Sequence, residues 1–183
     1  IKSMQVDKDK MSSEGLVIPV SKVDENTVKA LTFVDCGKVL PSFELAIRGD
    51  DGSDLPDNQC GRICLRGPSV MTGYFQNPAA TEESLSSDGW LDTGDIGYRI
   101  GENIVVTARR KDVIIVNGRN IWPHDLEYLA ETLPGVRFGN VSAFSFSDEK
   151  GSDQVVMVVE SREKNPAKIR TLVSELSALM TEN

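Results

Sequence analysis

A boundary at the charged tetrapeptide Arg109-Arg110-Lys111-Asp112 divides this 183-residue chain, with long helical stripes only beyond it. Before it, hydrophobic residues come in short alternating runs, 31–34, 43–47 and GRICLRG, separated by Gly, Pro and Asp clusters such as GDDGSD. That is the pattern of strands joined by turns. After it, Leu126, Leu129, Ala130 and Leu133 fall at i, i+3, i+4 and i+7, opened by Pro123 and stopped by Pro134-Gly135. Ile169, Leu172, Val173, Leu176 and Leu179 make a second stripe over 166–180, with Asn165 as the N-cap, and this stripe reads as core packing. The runs VSAFSFS and QVVMVVES between the two helices read as strands, the second apolar enough to be central. The expected class is α+β: a β-rich part to about Arg110, then a small α+β part with two amphipathic helices packed on a short sheet.

Finer features follow the same logic. DIGYRI and NIVVTARR flank the turn GEN as a hairpin, and 113–116 is a strand ended by the turn Asn117-Gly118. Asn77-Pro78 opens one helical turn. Residues 1–30 are polar with no helical period, and read as a loop or insertion.

Composition limits the function classes. A net charge of −8 argues against nucleic acid or an anionic membrane surface as partner, since either needs a basic face. No run of eighteen apolar residues is present and IKSMQVDKDK lacks the apolar core of a signal peptide, so a soluble, cytoplasmic protein without a membrane span is expected. The three cysteines, Cys36, Cys60 and Cys64, form no framework; Cys60 and Cys64 share one strand face as buried thiols, and no metal site is expected.

The stretch GWLDTGDIGYRI places Asp92 and Asp95 among glycines. Both suit a turn. An ionised Asp also offers acceptors only, which matches a vicinal diol such as the ribose of a nucleotide. Arg109 ends the following strand, where the hairpin returns it beside Asp95, although RRK is equally a solvated charge run.

GRICLRGPSVMTGYFQNPAAT, then GWLDTGDIGY, then VVTARRKDVIIVNGRNIWPHDLE, resemble in order and distance the motifs of the adenylate-forming superfamily of acyl- and aryl-acid ligases. VDKDKMSSEGLVIPV, FVDCGKVLPSFELAIRG and GRNIWPHDLEYLAE resemble its fatty acyl-AMP ligase branch. The resemblance implies that Asp95 binds the ribose hydroxyls of ATP and acyl-adenylate, that Arg109 contacts the same ribose, and that Lys111 is the hinge about which the small domain rotates. Asp92 has no role in that pattern and stays a turn residue. Ala108 stands where the family usually has Gly.

The resemblance further implies that 1–110 is the β-rich, barrel-like end of the large adenylation domain, with 1–30 an insertion-like segment, and that 111–183 is most of the small domain. The phosphate loop, the aromatic adenine motif and the Gly-Lys loop with the catalytic lysine are not in the chain. It is therefore expected to be a fragment, truncated before that lysine, with no catalytic residue and no activity of its own. The implied whole enzyme uses ATP and Mg2+ to activate a fatty acid. It passes the acyl group to an acyl carrier protein or to a carrier domain of a polyketide or non-ribosomal synthase. The alternatives are an acyl-CoA ligase, and a non-catalytic binding module of the same fold.

Overall fold

The computed structural model describes residues 2–20, 29–116, 118–147 and 153–182. The fold is α+β and divides into two compact units, Ile1–Lys111 and Asp112–Asn183.

The first unit holds six antiparallel strands: β1 (Ser3–Asp7), β2 (Ala30–Lys38), β3 (Glu44–Arg48), β4 (Gly61–Arg66), β5 (Leu91–Ile100) and β6 (Asn103–Arg109), in the order β1-β2-β6-β5-β4-β3. β2 serves two partners. Residues 30–34 pair with β1, while Asp35 and Lys38 pair with β6. Val6, Leu31, Phe33, Tyr98 and Val105 are buried, so alternate positions of β1, β2, β5 and β6 share one core. The hydroxyl of Tyr98 donates to Met4 Sδ at 3.5 Å, which gives the buried phenol a partner.

The loop reading of residues 1–30 is corrected. The segment contains β1 and then a helix, α1 (Lys8–Glu14). Asp7 caps α1, accepting from Lys10 N at 3.0 Å, and Gly15 closes it at φ +67° with its N–H directed to Lys10 and Met11 carbonyls. Only Lys8 and Met11 of α1 are buried, too little apolar surface to produce a readable period over seven residues. The caps were the available signal. Residues 21–28 of the expected loop lie outside the described residues. A second short helix, α2 (Pro78–Ser84), starts at Asn77, whose Oδ1 accepts from Ala80 N at 3.1 Å.

Cys64 and Cys60 are placed differently from one another. Cys64 is buried opposite Asp92, and Cys60 Sγ lies 3.9 Å from Thr107 Oγ1, with burial pushing its thiol up to about 11. Burial raises the Cys64 thiol as well, while Cys36 is exposed. A thiol reagent such as DTNB is therefore expected to titrate Cys36 rapidly in the folded chain and the other two only on unfolding. Three fast equivalents would contradict this burial.

The second unit begins with the hairpin β7 (Ile114–Val116) and β8 (Arg119–Ile121). Gly118 in its turn has φ +76°; Asn117, expected as the other turn residue, lies outside the described residues. α3 (Pro123–Glu131) follows and packs on β9 (Val136–Ser147), which pairs with β10 (Asp153–Ser161). Ile114, Leu126 and Ala143 form the core cluster, with Val116, Ile121, Val155 and Met157 against it. Trp122, at the start of α3, is also buried.

The last helix, α4 (Pro166–Glu182), contacts α3. Its stripe is only partly core: Leu172 is buried, but Ile169 and Val173 are exposed, Val173 by 55%. The core assignment of the whole stripe is thus corrected, because α4 touches its unit along one edge of the stripe.

Candidate functional site

The β5–β6 hairpin positions the site. Its register sets Asp95 opposite Arg109, and Arg109 Nε lies 2.8 Å from Asp95 Oδ1. The two residues singled out in the sequence are therefore brought together. The arginine side chain is 59% exposed and the carboxylate 27%, so solvent screens the pair and it contributes little to stability. Among the described residues Asp95 Oδ2 takes no hydrogen bond, which leaves an acceptor available to a ligand.

Asp95 is presented by an irregularity in β5. Arg62 of β4 faces Ile96, and Cys64 faces Asp92, so four steps of β5 run against two of β4. Thr93, Gly94 and Asp95 bulge away from β4, and Gly94 takes φ +74°, which only glycine adopts cheaply. Three hydrogen bonds of two side chains hold the bulge. Gly94 N donates to Asp92 Oδ1 at 3.0 Å, and Asp95 N donates to Thr93 Oγ1 at 3.1 Å, whose hydroxyl donates to Ile63 O at 3.0 Å.

The turn reading of Asp92 is corrected here. Asp92 lies inside β5, and its Oδ2 accepts from Arg62 Nη1 at 2.8 Å. Arg62 Nη2 donates to Gly49 O at 2.9 Å, while its Nε is buried without a partner among the described residues. Asp-Thr-Gly-Asp reads as turn chemistry because a strand bulge and a turn use the same residues. Arg62 sits thirty positions away, and nothing in its neighbourhood marked it as the partner.

At the entry to β5, Arg48 and Arg66 approach the Trp90 ring at 4.7 and 4.8 Å from its centroid, and Arg66 grips Glu44 with two bonds of 2.9 and 2.6 Å. This lattice fixes where β5 starts relative to β3 and β4.

Two cavities meet at the bulge. One, about 370 Å³, is lined by apolar side chains including Phe43, Leu45, Ile63, Leu65 and Val106, with Thr93 and Asp95 also in its wall. The other, about 590 Å³, is polar, and Arg62, Arg109, Arg110 and Lys111 give it an excess of cations over Glu83 and Asp92. Lys111 is exposed in the 3-10 turn Arg110–Asp112, where the first unit ends. A carboxylate with an open acceptor between an apolar and a cationic hollow is suited to a ligand carrying hydroxyls between an apolar group and phosphates. Among the described residues no three His, Cys, Asp or Glu side chains converge.

No protein-family model matches the chain. Over 163 residues it is 45% identical to a Caulobacter vibrioides protein with the provisional name of acyl-CoA synthetase, covering 88% of this chain and 28% of that protein. Over 173 residues it is 32% identical to a long-chain-fatty-acid AMP ligase of Mycolicibacterium smegmatis, covering 84% of this chain and 27% of that one. A solved structure from a study of fatty acyl-adenylate ligases of E. coli and L. pneumophila superposes with a TM-score of 0.84 at 34% identity, over 99% of this chain and 31% of that chain. The chain belongs to the adenylate-forming, AMP-binding superfamily. Its homologues there include acyl-CoA and fatty acyl-AMP ligases, and the chain spans 28%, 27% and 31% of the three proteins just named.

Among the described residues no helix is long and apolar enough to cross a membrane.

Proposed function

We propose that this chain is part of a fatty acyl-AMP ligase. In the whole enzyme a fatty carboxylate attacks the α-phosphorus of ATP, giving acyl-AMP and pyrophosphate, and the acyl group then passes to the thiol of an acyl carrier protein or carrier domain. The observation that carries this reading is the Asp95–Arg109 pair, with an open carboxylate oxygen beside a cationic cavity. Asp95 and Arg109 hold the ribose, so that the α-phosphorus and the attacking carboxylate keep their alignment. The polar cavity receives the phosphates. Residues 1–110 end the large domain and 111–183 form most of the small one. Lys111, at the junction, is the hinge between the two half-reactions. The enzyme works in the cytoplasm.

A second reading, an acyl-CoA ligase, shares the adenylation step and differs in the acceptor; the 45% identical relative favours it by name. One experiment tests both. The whole protein is expected to exchange pyrophosphate into ATP in the presence of a fatty acid, and to load a carrier protein faster than it forms a thioester on coenzyme A. Faster thioester formation on coenzyme A would select the second reading, and no exchange with any fatty acid would remove both. The 183-residue chain alone is expected to show no exchange. One carboxylate and one guanidinium, at roughly 1.5–3 kcal/mol per charged hydrogen bond before ordering costs, do not hold ATP.

A further inference from the structure

We infer that Asp92 and Arg62 form a positioning device for Asp95, resting on the reading of Asp95 as the ribose ligand. The carboxylate of Asp92 is used from both ends: Oδ2 takes Arg62 Nη1 at 2.8 Å and Oδ1 takes the backbone N–H of Gly94 at 3.0 Å. Arg62 is itself tied to the β3–β4 connection through Gly49 O at 2.9 Å. A continuous path therefore runs from the backbone at Gly49, through a guanidinium and a carboxylate, to the N–H of the residue before Asp95.

The pair is 21% and 19% exposed, and a pair this little exposed returns small net stability because desolvation offsets most of its attraction. It also leaves Arg62 Nε buried without a partner, a standing cost among the described residues. What the pair does set is geometry. Where β5 slips its register with β4, Thr93, Gly94 and Asp95 have no Cα partner on β4, and the Asp92 and Thr93 side chains tie this segment instead. Without Asp92, the glycine at φ +74° is free to relax, and the carboxylate of the next residue moves with it. Displacement of a positioned group by about 1 Å is enough to cost an order of magnitude or more.

The test uses the whole enzyme, with pyrophosphate exchange as readout and Asp92→Ala, Asp92→Asn, Asp95→Ala and the Asp92→Ala/Asp95→Ala double variant. Asp92→Ala is expected to raise the KM for ATP about tenfold and leave the KM for fatty acid unchanged. Asp92→Asn, which keeps an oxygen for Gly94 N–H, falls between Ala and the parent. Because Asp92 acts through Asp95, the double variant is expected to be no worse for ATP than Asp95→Ala alone. A purely structural role would lower the melting temperature and leave both KM values of Asp92→Ala in place; that pattern overturns the inference while Asp95→Ala still weakens ATP. If Asp95→Ala itself leaves the ATP KM unchanged, the ribose reading fails first and the inference falls with it. Should Asp92→Ala not fold, an ATP KM of Asp92→Asn equal to the parent's equally overturns it.

Discussion

Replacing Asp95 with Ala in the whole enzyme is expected to raise the ATP concentration for half-saturation by about 10- to 100-fold, with the fold intact. The size follows from the hydrogen bonds lost, roughly 1.5–3 kcal/mol for each one to a charged group, or about one to two powers of ten. The fold survives because Asp95 is a partly exposed residue on a bulge whose ion pair with Arg109 is screened, so its removal costs the sheet no more than about 1 kcal/mol. Isothermal titration with ATP and a melting curve separate the two effects. An unchanged ATP affinity, or a large loss of melting temperature, would contradict the assignment. Arg109→Ala is expected to follow in the same direction, since it loses a donor to the ligand and the charge that orients the carboxylate.

Gly97→Ala acts on the fold itself. Gly97 sits in β5 beside a second register shift, between Ile96 and Gly97, where the strand crosses β6 closely. A Cβ there would stand 2.3 Å from Val105 O and 2.8 Å from Ile63 Cδ1. The isoleucine can rotate, but the carbonyl belongs to the neighbouring strand and can move only if β5 and β6 separate. The expected cost is about 3 kcal/mol, at the upper end for overpacking, and on the order of 10 °C in the melting temperature of a unit this size. Gly67→Ala is the contrasting case, because its Cβ meets the Phe43 ring, a side chain able to swing aside. Equal melting temperatures for the Gly97 and Gly67 variants would show that the strands are less tightly apposed than described.

Much of this was readable from the residues, and the parts that were not share a cause. Alternating runs such as Phe43 to Ile47 and the i, i+3, i+4, i+7 spacing in α3 depend on local period, which survives without knowledge of neighbours. The meeting of Asp95 and Arg109 was legible for a similar reason: a hairpin with a short turn returns its second strand along its first. The bulge was not, because it exists only as a mismatch between β5 and β4, two segments separated by the loop and helix between Arg66 and Leu91. Without Arg62 in view Asp92 has only the signature of a turn residue, and a seven-residue helix such as α1, burying Lys8 and Met11, shows almost no apolar face. α4 differs in the opposite direction: its stripe is real, but the stripe does not say which of its residues are packed.

The two tryptophans fall one to each compact unit. Trp90 has two guanidinium groups near its ring and is partly open to water, whereas Trp122 is sealed from solvent. Their emission should therefore differ in colour, red-shifted for the first and blue-shifted for the second. The molecule thus carries a built-in pair of optical reporters. In a Trp122→Phe chain the remaining fluorescence follows the half that bears Asp95, so loosening around the bulge can be watched apart from whatever the other half does.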